Sequence, residues 1–220
     1  TLTVSESWVN DLKRLGAKNV VLITNGYDST DFNLKPKKTD KFIIGHYGLI
    51  NHLRNPKNLW KGLNVLCDEH KDFNSKLEIH FSGNVDGEVI AEIESFSNLK
   101  GKIKELGYLG HAQVLQEYNE ASVLLLLLFN SDAGKGNYPG KIFEYFAAQK
   151  PILAFGPSES DTRNLITKTN SGKYFSYDDA NLRDTILELF RNENRFSFKN
   201  TGQFSREKLA QMLSDLLNKL

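Results

Sequence analysis

The chain has 220 residues, enough to bury a full α/β core, and its formal charge is only +1, from 28 basic and 27 acidic side chains. No basic stripe points to nucleic acid, and no apolar run approaches the ~20 residues that span a bilayer. The single cysteine, Cys67, excludes an internal disulfide and a thiolate metal cluster.

Cys67 lies beside Val65 and Leu66 in a helical pattern, reads as core filling, and fits a reducing, cytoplasmic compartment. The chain opens TLTVSESW, with neither a secretory leader nor an initiating Met, and so reads as a piece of a longer protein. A helix is expected over 6–15 with Ser5 as its cap, then a strand over 20–23 and a turn at Thr24-Asn25-Gly26. The polar stretch 29–40 reads as a linker. A regular alternation follows, with strands expected over 42–47, 77–81, 103–108, 123–129, 152–155 and 173–175. Helical patterns fill the gaps at 56–70, 88–96, 112–119, 140–148 and 160–168, and two more run over 181–191 and 205–219.

Strands alternating with helices imply right-handed βαβ units, and hence an α/β, Rossmann-like, doubly wound parallel sheet. The almost purely apolar run 123–129 suits a central strand covered on both faces. Ligands of such sheets bind beyond the carboxyl ends of the strands. Here those positions fall in 48–54, 83–87, 108–111, 130–140 and 156–161. Neither GxGxxG nor GxxxxGK[ST] occurs there. The five His are scattered, with no HxH, HExxH or Asp cluster, so no metal is expected. No GxSxG offers a nucleophile.

The richest segment is 138–157, YPGKIFEYFAAQKPILAFGP. Pro139-Gly140 opens a short helix, Lys150-Pro151 closes it, and a buried strand follows. Ile142, Phe143, Phe146 and Ala147 share one helical face, suited to a sheet, while Gly140, Lys141 and Glu144 share another. A helix N-terminus attracts anions, Gly140 admits a ligand to the backbone, Lys141 adds charge, and Glu144 can accept from hydroxyls. That set suits a phosphorylated sugar or a nucleotide. Lys141 and Glu144, three residues apart, equally fit an ordinary solvated ion pair of little energetic weight.

Other strand ends add candidates. Arg54, beside Asn55 and the helix-opening Pro56, can chelate a diphosphate through its two-pronged guanidinium. His46 and His52 are weaker candidates for ligand contact. The glycine-rich loop 130–140 is expected to move without ligand, with Asp132 as a cap or sugar contact. Gly83-Asn84 and Gly110-His111 are turns able to offer backbone groups to a base or sugar.

On these residues the chain resembles the carboxyl-terminal, donor-binding half of a GT-B glycosyltransferase of the retaining group-1, family-4 type. TVSESWVNDLKRLGAKNVVLITNGYDSTDF is similar to the segment joining that family's two halves, through Asn25-Gly26-Tyr27-Asp28 and Phe32. HYGLINHLRNPKNLWKGL is similar to its first strand and donor loop. SVLLLLLFNSDAGKGNYPGKIFEYFAAQKPILAF is similar to its late strand, loop and ribose-binding helix, and FSREKLAQMLSDLLNKL to its returning helix. The resemblance implies a connecting segment over 1–40, a donor domain over 41–203, and a helix over 204–220 that crosses to a missing amino-terminal half.

By the same resemblance, Glu144 holds ribose hydroxyls and the backbone of Gly140 to Ile142 receives phosphates. Arg54 and Lys141 act catalytically on the diphosphate, and Gly48 and Tyr108 belong to the donor site. Two positions depart from the family. Gly136 stands where a second glutamate often contacts the sugar, and Leu49 stands where an Arg often follows the first-strand glycine.

The implied reaction moves a hexosyl-type group from a nucleoside diphosphate sugar to an acceptor, without metal or other cofactor, in polysaccharide biosynthesis. The fragment alone is expected to be inactive, without nucleic-acid or membrane contact, although the full-length enzyme can sit at the inner membrane face. A non-catalytic module that kept the fold is the alternative. A phosphoacceptor domain fits poorly, because His46 and Asn130 stand near where its acidic residues would be.

Overall fold

Five consecutive apolar residues, Val123–Leu127, leave a strand no polar face to turn to water, so it needs cover on both sides. All five are buried in the computed structural model, which describes residues 1–32, 39–193 and 196–219. The chain begins with β1 (Leu2–Thr3), α1 (Glu6–Arg14) and β2 (Val21–Leu22). β3 (Phe42–Tyr47), α2 (Lys57–Glu69), α3 (Lys71–Lys76), β4 (Leu77–Ser82), α4 (Gly87–Ser95) and β5 (Ile103–Glu105) follow. After α5 (His111–Glu120) come β6 (Val123–Leu127), α6 (Lys141–Ala148), β7 (Ile152–Gly156), α7 (Asp161–Thr169) and β8 (Gly172–Ser176). α8 (Arg183–Phe190) and α9 (Arg206–Leu217) end it.

β3 to β8 form one parallel sheet in the order β5-β4-β3-β6-β7-β8. The chain therefore winds outward from β3, then returns to β3's other side and winds the opposite way. Pairing between β3 and β6 is brief, with only Ile44↔Val123 and Gly45↔Leu124 in register. Past that point the two strands part, which opens a crevice at the switch point.

Alternate residues along each strand feed two cores. Ile44, Ile79, Phe81, Leu125 and Phe155 pack with Leu59, Trp60 and Leu63 of α2 and Ile186 of α8. On the other face Ile43, Leu124, Leu126 and Ala154 pack with Tyr118 of α5, Ile142, Phe143 and Phe146 of α6, and Ile166 of α7. Sequence expectations for the sheet hold with small differences. The strand expected over 103–108 ends at Glu105, and the single helix expected over 56–70 becomes α2 and α3, broken at an extended His70. The strand over 20–23 shrinks to β2 and pairs with β1, apart from the main sheet. Part of the expected linker, 33–38, lies outside the described residues, whereas Ser29–Phe32 forms a 3-10 turn.

The first and last segments are fastened to the body. Ser5 caps α1 through the Trp8 N–H, and the Ser7 N–H and Oγ–H both donate to the Asp161 carboxylate at 2.8 Å. The Tyr27 N–H donates to the Phe204 carbonyl at 3.1 Å and the Arg206 N–H to the Tyr27 carbonyl at 2.8 Å. Phe204 then packs on Phe143 and Phe146 at ring separations of 5.2 and 5.7 Å. Asp161→Ala removes both bonds that hold Ser7 of α1. Hydrogen exchange should speed up across 6–14 while the main sheet stays protected, with a loss of about 1–3 kcal/mol in denaturant unfolding.

A candidate anion site at the carboxyl end of the sheet

Glycines follow both β3 and its neighbour β4 at the carboxyl end of the sheet. The Gly48 N–H donates to the Ser82 carbonyl at 2.7 Å, and Gly83 adopts φ +101°, a conformation that favours glycine. A Cβ at Gly83 would lie 2.8 Å from the Gly48 carbonyl oxygen, so the ends of β3 and β4 approach this closely because Gly83 lacks a side chain. At Gly48 a Cβ would lie 2.3 Å from Lys141 Nζ. Lys141 reaches this spot from the first residue of α6 and donates to the Tyr47 carbonyl at 2.6 Å. Burial, then the Arg54 charge, pull its pKa down to about 8 against a partial offset from Glu144.

Arg54 arrives from the opposite wall. Its 3-10 turn, His52–Arg54, is capped by Asn51, whose side chain accepts from the Leu53 N–H. The Asn130 N–H donates to the Leu53 carbonyl at 3.3 Å, tying the turn to the segment beyond β6. The guanidinium lies over the Phe129 ring, 3.7 Å from its centroid, and its buried Nε has no hydrogen-bond partner. Burial lowers the Arg54 pKa. Ion pairs such as Lys104–Glu78, Lys168–Glu6 and Arg183–Glu69 lie elsewhere, and among the described residues neither Arg54 nor Lys141 has one.

His46 lies beneath these cations, 1 % exposed. Its Nδ1 lies 3.0 Å from the Leu125 carbonyl, which can only accept, so Nδ1 carries the hydrogen and Nε2 keeps a lone pair. Nε2 makes no hydrogen bond, although the Leu49 backbone is near enough to favour the protonated ring. Burial, then the Lys141 charge, hold the His46 pKa at about 3.

α6 supplies the remaining groups. Gly140 precedes it without a side-chain cap, and a Cβ there would meet nothing within 4 Å, so the helix start is open. The Ile142 and Phe143 N–H groups bond the Pro139 and Gly140 carbonyls, which leaves the Gly140 and Lys141 amides for an anion. The Ile142 side chain is wholly buried and its N–H is already bonded, so Ile142 offers an anion no free donor. One turn on, Glu144 Oε2 accepts from the Tyr118 hydroxyl at 3.0 Å, leaving Oε1 for a further donor. The local charges favour a ligand carrying both phosphate and hydroxyl groups.

Other candidates fall outside this cluster. Tyr108 is 94 % exposed beyond β5, two strand positions from β3. Asp132 is an exposed partner of Lys135 at 2.8 Å. His52 lines a neighbouring groove of about 310 Å³ with Asn130 and Tyr177. Far from hanging loose, the 130–140 loop is anchored. The Lys135 carbonyl accepts from the Asp161 N–H at 2.8 Å, and the Asn137 carbonyl from Thr162 Oγ1 at 2.7 Å. A Cβ at Gly136 would lie 3.0 Å from Trp8 Nε1, so α1 closes over the position where a glutamate was expected by resemblance. A cavity of about 590 Å³ lies at the opposite, amino end of the sheet among Lys41, Phe42, Lys76 and Pro151. The nearby charges of Lys141 and Arg54, not cavity volume, mark the candidate site near the switch point.

Among the described residues no group of three or more His, Cys, Asp or Glu is placed to hold a metal ion, and no helix is long and apolar enough to cross a membrane. No protein-family model matches the chain. It is 23 % identical over 203 residues to the capsular polysaccharide biosynthesis glycosyltransferase CapH of Staphylococcus aureus, covering 92 % of this chain and 55 % of CapH. The chain thus spans about half the length of that curated relative. Its fold matches Anabaena HepE in complex with UDP at a TM-score of 0.76 and 13 % identity, over all of this chain and 63 % of HepE. It also matches the pneumococcal O-GlcNAc transferase GtfA, bound to UDP and GlcNAc, at 0.67 and 14 % identity, over 99 % of this chain and 44 % of GtfA. By its six-stranded parallel sheet and these likenesses, the chain has the Rossmann-like fold of the GT-B glycosyltransferases, as its sequence resemblance implied.

Proposed function

We propose that this chain is the donor-binding half of a glycosyltransferase that moves a hexosyl-type group from a nucleoside diphosphate sugar to an acceptor, with retention. The observation that carries the proposal is the pair of cations, Lys141 beside Gly48 and Arg54 near enough for its charge to act on Lys141, neither of them ion-paired among the described residues. Two positive charges facing an open helix start suit a diphosphate better than a single phosphate. UDP in the HepE and GtfA structures, and the sugar-transferring activity named for CapH, support the same assignment.

In this mechanism the bond from the anomeric carbon to the β-phosphate oxygen breaks, and its electron pair passes to the diphosphate. Arg54 and Lys141 stabilise that charge with the Gly140 and Lys141 amides, so no metal is called for. Glu144 Oε1 accepts from ribose hydroxyls while Tyr118 fixes the carboxylate. The acceptor hydroxyl forms the new bond and loses its proton in a cleft completed by an amino-terminal half, and residues 1–220 alone bind donor without turnover. The full enzyme works in the cytoplasm, at most peripheral to the membrane. Trp8 over Gly136, together with Leu49, favours a second reading in which donor binding persists but transfer is lost.

Calorimetric titration with UDP, GDP and ADP tests the proposal. One diphosphate should bind selectively, and Arg54→Ala or Glu144→Ala should weaken it by about 10- to 100-fold. No binding, or binding indifferent to both substitutions, would refute the site. Because the free Lys141 ammonium loses its proton near pH 8, affinity should fall between pH 7 and 9. Lys141→Arg, which stays charged, should flatten that fall.

A further inference from the structure

His46 is a buried polar residue for which the donor site, as described, has no use. Its Nδ1 is committed to the Leu125 carbonyl, where the β3–β6 ladder has already ended. Its Nε2 is buried and unpartnered. Buried polar atoms are almost always hydrogen-bonded, so an orphan at a ligand crevice asks for a partner that arrives with the ligand. The volume a Cβ would fill at Gly48 is bounded by Lys141 Nζ at 2.3 Å and His46 Nε2 at 3.7 Å. A phosphate oxygen entering that space would lie within reach of both Lys141 and His46.

A neutral His46 would meet that oxygen lone pair to lone pair, since its only N–H already faces Leu125. Repulsion is avoided only if the ring gains a second proton. We infer that His46 takes up a proton from solvent when a nucleoside diphosphate sugar binds, so that its Nε2–H becomes a third donor to the diphosphate beside Lys141 and Arg54.

The groups facing His46 support this. Lys141 from α6 and Arg54 from the 3-10 turn disfavour an imidazolium in the free protein, and no carboxylate is among the groups acting on the ring. The Leu125 and Leu49 backbones favour it. A diphosphate adds negative charge next to both cations and reverses the balance. No covalent bond changes. The proton comes from solvent and returns when the ligand leaves. The inference deepens the proposed donor site and rests on it.

The test uses UDP-glucose, GDP-mannose and ADP-glucose, whose esterified diphosphates have no proton of their own to exchange near neutrality. Calorimetry at pH 6.5, in buffers of low and high ionisation enthalpy, counts protons taken up at saturating ligand. Lys141 is already protonated there. The donor that binds should bring in roughly 0.5–1 proton, and His46→Gln should bind it more weakly with uptake near zero. Ring nitrogen-15 spectra of the wild type should show His46 pass from the Nδ1–H tautomer to imidazolium on saturation, which decides the matter should the variant fail to fold. Binding without uptake, a ring that stays neutral, or equal uptake in His46→Gln would overturn this inference alone. No binding by any of the three sugars overturns the donor site and this inference together.

Discussion

Arg54 and Lys141 bring two positive charges to the carboxyl end of a parallel sheet, and among the described residues neither forms an ion pair, although the Glu144 charge partly favours the Lys141 ammonium. The Tyr47 carbonyl takes the Lys141 ammonium and the face of Phe129 takes the Arg54 guanidinium. Both are weak substitutes for a counter-ion once water is partly removed. The cost is visible in the depressed pKa values of Lys141 and Arg54 and in the orphaned atoms Arg54 Nε and His46 Nε2. An anion bound there would offset that cost.

What brings the charges together is topology. β3 and β6 pair over two residues and then separate, so a gap opens where the winding of the sheet reverses. The missing side chain at Gly48 leaves room for the Lys141 ammonium at the end of β3. α6 must bury Ile142, Phe143, Tyr145 and Phe146, and Phe204 packs on the same aromatic surface. Burying that face fixes the helix's rotation, which turns Lys141 and Glu144 toward the crevice. The hydrophobic packing of α6 and the chemistry at its start are one arrangement.

The sheet was legible because buried parallel strands announce themselves as short apolar runs, and the loops between them as Gly and Pro clusters. Arg54, Lys141, Gly48 and Glu144 stand out as candidates through their position at strand and helix ends, and the structure brings Lys141 beside Gly48. What escaped were facts carried by distant partners. Nothing local says that Asp161 holds Ser7, that Trp8 covers Gly136, or that Thr162 pins Asn137 and so steadies a loop that glycine content marks as mobile. Tyr118 as the partner of Glu144 is equally nonlocal. The extent of β5 was overread because Leu106 and Tyr108 continue the apolar signal after pairing has stopped, leaving Tyr108 in solvent. His46 looked like a core residue, and by burial it is one. Only its unpartnered nitrogen beside Lys141 sets it apart.

The central claim, that Arg54 and Lys141 form an incomplete anion cradle, is tested most directly with inorganic pyrophosphate, which carries the charge without base or sugar. Its effect on the thermal midpoint should be measured for the wild type and for a double variant, Arg54→Gln with Lys141→Met. The account predicts a concentration-dependent rise in the wild type that is absent from the double variant. An equal rise in both, or none in either, would contradict it.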